Sequence, residues 1–386
     1  MDFWIKTLLD LVAIDNTNPP GNNYHQAVKF LKPLFEKVGF ETAVINIPSS
    51  IAEGRVNLLA HKRNPGKPRL LVYSHIDVVP ADPDWQPFKP KIKNGKIFGR
   101  GVADMKGSLI AFLMAVDRLK SKIQNWDTTV MVTTDEETNQ TEQILYLLAN
   151  KIDQAAGAVF LNLDCTFGYV SIGGLGHISI KITVQGKSVH SAIAHLGINA
   201  VENSLPLINS LVKLKKKVES RFSKIPVNPD LGIRFMQAKL NIDKIVGGLK
   251  VNIVPDRCEI EIDRRFIPEE KIAKVKREIR EALSPYQSKI KYNLEFLHQM
   301  SAYAKISPAS KIMAEYMKRV LDNGKFYAVM GSGDLFEIAK KLNWQFVGCG
   351  VARDKTGNIH GRDENIQIKD LYSLVDVLSL FLGSKS

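Results

Sequence analysis

The chain has 386 residues, 45% of them hydrophobic, and a formal net charge of +13 at pH 7. That is enough to bury a large core, in two domains or one large one. Its three cysteines, Cys165, Cys258 and Cys349, stand far apart, which excludes a disulfide framework and a CxxC zinc motif. The opening MDFWIKTLLDLVAIDN is interrupted by Asp2, Lys6 and Asp10 and lacks a signal-peptide layout. No apolar stretch reaches the length of a bilayer span. The expectation is a cytoplasmic protein with no membrane partner. Lysines gather in KLKKKVESRFSK, KIAKVKREIR and the loops around 89–96, without interleaved aromatics. They read as a solvated basic face that can steer anionic small substrates, and no nucleic-acid partner is expected.

Residues 2–14 and 24–38 read as amphipathic helices, separated by the breaker-rich loop NTNPPGNN. ETAVINI, RVNLLAHK and RLLVYSHIDVV read as strands. A helix is expected over Met105–Leu119, opening at a glycine-rich turn. TTVMVTTD is β-branched and apolar, which marks a buried strand. A helix over 138–150 and the strand GAVFLNLD follow. Helices alternating with such strands indicate a layered α/β domain. The pattern changes near Gly173. HISIKITVQG and RCEIEIDRRF alternate as half-buried antiparallel strands do, and each precedes a long amphipathic helix. They form a smaller α+β domain over roughly 177–290. A helix near 308–322, the strand WQFVGCG and a closing helix in IQIKDLYSLVDVLSLFLG return to the first pattern.

Acidic and histidine residues follow the apolar runs. His75 and Asp77 come just after RLLVYS, two residues apart, on one face if the strand continues. With a metal on one imidazole nitrogen, Asp77 can accept from the other and fix the tautomer. A satisfied core histidine is the alternative. Asp104 sits in GRGVADMKG, where it can bridge two metals or simply cap the following helix. Asp135, Glu136 and Glu137 are consecutive. Three adjacent carboxylates repel unless the chain splays them or a cation compensates, although acids also favour a helix start. Asp164 ends the next strand. In open α/β sheets, sites lie beyond the carboxyl ends of strands, and these residues converge there. His75, Asp104, Glu137, Asp164 and His360 supply nitrogen and oxygen donors without thiolate, a set that zinc, cobalt and manganese accept.

The stretches SHIDVVP, GRGVADMKG, TTDEE, VHSAIAHLGINA, GGLKVNIVPDRCEIEIDRRFIP and HGRDEN run in order along nearly the whole chain. With them the sequence resembles the co-catalytic zinc exopeptidases and N-acyl-amino-acid deacylases. That family includes acetylornithine deacetylase, succinyl-diaminopimelate desuccinylase, aminoacylase and glutamate carboxypeptidase. The resemblance implies a zinc-exopeptidase-like three-layer α/β catalytic domain over 1–176 and 291–386, with a lid and dimerisation domain at 177–290. It implies two divalent metals, with His75 and Asp164 on one, Glu137 and His360 on the other, and Asp104 bridging. Asp77 would orient His75, and Glu136 would be the general base. His190 would stabilise the oxyanion, often across a homodimer interface. Asn252 and Arg265 would hold the substrate; a salt bridge of Arg265 with Glu259, Glu261 or Asp263 is the lesser alternative. Gly331–Asp334 resembles the loop near the substrate end.

Three departures concern substrate choice: Ile193–Ala194 where some members carry Arg–Pro, a GSGD loop lacking the threonine of GGTD, and Asp164 where many members carry Glu. The expected activity is hydrolysis of the amide bond of N-acyl amino acids. A carboxypeptidase or dipeptidase acting on peptides with a free C-terminal carboxylate is the alternative. A non-catalytic binding protein on the same scaffold is a more distant one.

Overall fold

The structure is a computed structural model that describes residues 2–120, 125–138, 140–152 and 158–384. The chain divides into two compact units. One comprises Met1–Ile172, Lys305–Tyr327 and Ile338–Ser386, the other Gly173–Ala304 and Ala328–Glu337.

The first unit is built on a mixed sheet. In spatial order its strands are Glu41–Asn46, Val56–Lys62, Asp127–Thr133, Arg69–His75, Val159–Asn162, Gln345–Gly348 and the strand beginning at Val170. Arg69–His75 is parallel to both Asp127–Thr133 and Val159–Asn162, and Gln345–Gly348 is parallel to Val159–Asn162. The carboxyl ends of these four strands therefore share one edge. Every residue of Asp127–Thr133 is buried, as expected of a parallel strand covered on both faces. Phe160 is fully buried and meets Tyr73, Trp344 and Phe346.

Helix Tyr24–Lys37 packs on the two outer strands Glu41–Asn46 and Val56–Lys62. Helices Gly107–Leu119 and Pro308–Leu321 both pack on the closing helix Ile368–Gly383. The caps follow the sequence. The Asp2 carboxylate accepts from the Trp4 and Ile5 amides, and Ser307 and Ser310 form a reciprocal cap ahead of Pro308.

Two expectations change in ways that matter for the site. The strand expected over 69–79 stops at His75, so His75 and Asp77 do not share a strand face. They meet through the turn that follows. The helix expected from Met105 begins at Gly107, after a wide turn, Val102–Lys106, in which Asp104 is non-helical (φ −123°, ψ 92°). A Cβ at Gly107 would lie 2.4 Å from the Val102 carbonyl oxygen, so glycine is what lets the helix start against that turn. Two further expectations touch residues outside the described ones, Asn139 and Gly157. Their elements are seen as helix Thr141–Asn150 and strand Val159–Asn162.

The second unit holds a four-stranded antiparallel sheet in the order Lys239–Gly247, Arg257–Phe266, Gly176–Gln185, Tyr292–Met300. Burial alternates along Arg257–Phe266, the signature of a sheet with one solvated face. Helices Ala200–Glu219 and Ile272–Leu283 pack together. This unit runs past residue 290, where the sequence pattern places the insert's end, because Tyr292–Met300 pairs with Gly176–Gln185.

Candidate metal centre

The convergence begins with strand ends. His75 closes its strand, Glu136 and Glu137 follow Thr133, and Asp164 follows Asn162. The other two residues arrive by turns. Asp104 comes from the turn at Val102–Lys106. His360 lies in a loop at φ +60°, a conformation non-glycine residues adopt rarely and often at functional sites.

The central carboxylate is Asp104. Its Oδ1 lies 3.2 Å from His75 Nε2, and its Oδ2 lies 2.9 Å from His360 Nε2. The Glu137 Oε2 is 3.3 Å from the same His360 nitrogen. Two groups of donor atoms result, His75–Asp104–Asp164 and Asp104–Glu137–His360, each with all its atoms within 4.8 Å of one another. Asp104 belongs to both. The helix-cap reading of Asp104 does not hold, because Lys106 occupies the cap position and the Asp104 carboxylate faces the histidines. Cys165 belongs to neither group.

Asp77 is fully buried and engaged on both oxygens. Its Oδ1 lies 3.4 Å from His75 Nδ1, whose nearest acceptor is the Asp77 carbonyl at 3.1 Å. The carboxylate also accepts from the backbone amides of Glu136 (3.2 Å) and Glu137 (3.0 Å). It therefore fixes the imidazole and the two following acids together. Asn18 completes this arrangement by donating to Asp77 Oδ2 (3.0 Å) and Asp135 Oδ1 (2.7 Å). Asp135 also pairs with Arg55 at 3.1 Å. The run of three acids is thus split, with Asp135 turned to Arg55 and Asn18 while Glu137 joins a ligand group. Asn18 lies in the NTNPPGNN loop, where its part was not foreseen. A polar side chain among turn-formers carries no mark of its partner in sequence.

The charges of the metal-free chain are unbalanced. Burial, reinforced by Asp164, Asp104 and Glu137, pushes the Glu136 carboxyl well above the usual carboxylate range. Burial and the Asp104 charge push Asp164 to about 7. Hydrogen bonds to Asp104 and Glu137 raise His360 to about 10. His75 is raised too; burial opposes its charge, but Asp104 and Asp77 outweigh it. Asp104 is held far below its usual value against burial, by His360 and His75. Buried acids that can neither ionise freely nor find arginine partners are what a cation would satisfy. The donor set is nitrogen and oxygen only, three residues to each group, the number of protein ligands that catalytic zinc sites use. The residues fit two divalent ions. Glu136 stands outside both groups while feeling their charges.

The second unit carries the other expected residues. His190 and Asn252 are neighbours there. His190 pairs with Ile253 as an isolated bridge, and the Ser191 amide donates to the Asn252 carbonyl at 3.0 Å. His190 is exposed, and its Nδ1 accepts from the Ala192 amide. Arg265 is engaged by Asp263 through Nε and Nη2 (2.8 Å each), and its Nη1 donates to Ser332 Oγ at 3.1 Å. The salt bridge weighed for Arg265 therefore exists, with Asp263 rather than Glu259 or Glu261. A cavity of about 320 Å³ in this unit is lined by Val246, Leu249, Ile253 and Pro255, among others. It holds none of the carboxylates of the two ligand groups.

The model of peptidase family M20/M25/M40 matches residues 71–384. Among curated proteins, a probable succinyl-diaminopimelate desuccinylase of Staphylococcus epidermidis is 28% identical over 285 residues, 69% of this chain and 68% of its own length. A succinyl-diaminopimelate desuccinylase of Rickettsia canadensis is 29% identical over 68% of each chain. Among solved structures, an M20-family metallo-carboxypeptidase of Sulfolobus solfataricus superposes with a TM-score of 0.78, covering 99% of both chains at 21% identity. A tripeptidase of Staphylococcus aureus gives a TM-score of 0.76, covering 98% of this chain and 97% of its own, also at 21% identity. The chain belongs to peptidase family M20/M25/M40, and its two ligand groups are those of a dinuclear metal-dependent hydrolase of amide or peptide bonds.

Proposed function

We propose that the protein removes the acyl group from N-acyl amino acids by hydrolysing their amide bond. The observation that carries the hydrolytic reading is the division of Asp104, one oxygen toward His75 and the other toward His360. The acyl-group reading draws on the desuccinylases, which align with about two thirds of the chain.

Two divalent ions, one at His75, Asp104 and Asp164 and one at Asp104, Glu137 and His360, would acidify a water and take up negative charge developing on the carbonyl oxygen. We assign zinc, with cobalt or manganese able to replace it. Asp77 keeps the His75 Nδ1 protonated and the ring aimed. Glu136 takes a proton from the attacking water on its carboxylate and delivers it to the departing amine nitrogen. Buried beside both ligand groups and belonging to neither, that carboxylate is free to make both transfers. His190 donates to the oxyanion. Arg265, oriented by Asp263, and Asn252 hold the substrate's free carboxylate.

A second reading, a carboxypeptidase or dipeptidase, draws on the full-length likeness to the Sulfolobus carboxypeptidase. Both substrates present a carboxylate next to the scissile amide, so the acyl side decides. The test is a panel of N-acetyl and N-succinyl amino acids and short peptides, assayed with zinc, cobalt and manganese. Faster turnover of N-acyl amino acids supports deacylation; faster turnover of peptides replaces it with the second reading.

We also propose a homodimer formed through the second unit. Among the described residues, strand Lys239–Gly247 ends its sheet with one side unpaired, and in it or just beyond it Ile245, Val246, Leu249 and Val251 are exposed, the last two at 93% and 100%. A solution mass equal to one chain would remove this proposal. Three free cysteines fit a reducing, cytoplasmic setting.

A further inference from the structure

Arg100 and Glu364 lie far apart in sequence yet form an almost fully buried ion pair, 2.7 Å between Nη1 and Oε2, at 2% and 0% exposure. Neither is a donor in the ligand groups. Their contacts go to the backbone that carries two of the ligands. Glu364 Oε1 accepts from the amides of Ala103 (2.8 Å) and Asp104 (3.2 Å). Arg100 Nη2 donates to the His360 carbonyl at 3.1 Å. The Gly99 amide donates to the Glu364 carbonyl at 3.0 Å, tying the two segments once more.

Stability alone is a poor reason for such a pair. A buried ion pair is often no more stable than apolar residues of the same volume, because both charges must be desolvated. What the pair does is join the turn presenting Asp104 to the loop presenting His360. The His360 backbone sits at φ +60°, which surrounding contacts must hold. Asp104 and His360 both belong to the group with Glu137, while only Asp104 is shared with His75 and Asp164. We infer that Arg100 and Glu364 are positioning residues for the metal at Asp104, Glu137 and His360, two of whose three ligands they hold, and that they set its affinity more strongly than that of the metal at His75, Asp104 and Asp164, with which only Asp104 is shared. The inference rests on the dinuclear reading of the site.

The test titrates Zn²⁺ into metal-free full-length protein by calorimetry, with the bound metal counted, and repeats it with Co²⁺ by visible absorption. Glu364→Ala is expected to bind the second ion about 10–100-fold more weakly and the first with a clearly smaller loss, since Asp104 is common to both groups. Glu364→Gln keeps an acceptor for the two amides but loses the charge, and its second affinity should fall between. The control is Asp127→Asn, which breaks the Arg69–Asp127 pair (2.7 Å) elsewhere in the same unit. It should lower the melting temperature and leave both metal affinities unchanged. Two ions bound at wild-type affinity by Glu364→Ala, or equal weakening of both, overturns the inference. Should Glu364→Ala not fold, an unchanged second affinity in Glu364→Gln overturns it. A wild-type chain that binds no zinc fails at the earlier step and removes the dinuclear reading itself.

Discussion

Two regions of the molecule bury carboxylates, and they neutralise them differently. In the second unit Glu270 accepts from Arg221 and Arg264 at 2.6 Å each and from the Ile267 amide at 3.1 Å, while Glu278 faces Arg221 at 2.8 Å. Each acid there has its cation within the chain. At the strand ends of the first unit, Asp104, Glu136, Glu137 and Asp164 have, among the described residues, only His75 and His360 between them. Arg100 is nearby but is taken by Glu364, and Arg55 by Asp135. Both sets are withdrawn from solvent, the strand-end acids more deeply, and only those lack matching positive charge. A self-neutralised network stabilises a fold, whereas an under-neutralised one invites ions.

The contrast makes predictions. Stripping the metals with a chelator should abolish amide hydrolysis and leave the second unit's arginine network untouched; activity that survives chelation removes the metals from the mechanism. Glu136→Ala should lower kcat by at least about 10²–10⁴-fold, the range of general-base contributions. The count of two bound metals should not change, because Glu136 lies outside both ligand groups. Full activity in that variant would sink its assignment as the base. Glu270→Ala should behave in the opposite manner. It leaves Arg264, 1% exposed, as a buried unpaired charge, costing about 3–5 kcal/mol of stability in denaturant titration with metal binding unchanged.

A pH effect should separate the regions further. Asp164 has a folded value of about 7 in the metal-free chain, against about 3.9 unfolded. The raised value means the folded state binds its proton more tightly. That contribution is complete below about pH 4 and gone above about pH 7. His75 and His360 act in the same direction at higher pH, since both are raised. Thermal melts of metal-free protein should therefore fall in temperature as pH rises from 4 to 7, and Asp164→Asn should flatten this slope. A metal-free protein that gains stability over that range contradicts the charge deficit. The smallest effect is expected for Asp164→Glu, which keeps the carboxylate and shifts it by one methylene, changing metal affinity modestly.

Much of the fold is legible because buried parallel strands announce themselves. TTVMVTTD and GAVFLNLD read as strands from their short length and, in the first, its β-branched residues, and the acids just past them are found by inspection. Asp104 shows where inspection stops. A carboxylate ahead of a helix looks the same whether it caps or ligates, and only the wide turn at Val102–Lys106 separates the two. Arg265 is similar, since its partner Asp263 is one of three acids within reach along a strand. Tyr292–Met300 is harder to see: YNLEF alternates, but the pattern breaks at Leu297–Gln299 and no residue of the strand is fully buried. Arg100, Glu364 and Asn18 were invisible for a different reason. Their partners are chosen by chain crossings that no local pattern encodes.

The central claim is that the acids at these strand ends lack two positive ions. Its most direct test is calorimetric titration of Zn²⁺ into metal-free protein, in the wild type and in His360→Ala. The account predicts two ions per chain in the wild type and one in the variant, the one held by His75, Asp104 and Asp164. No saturable binding in the wild type, or two undiminished ions in His360→Ala, would contradict it.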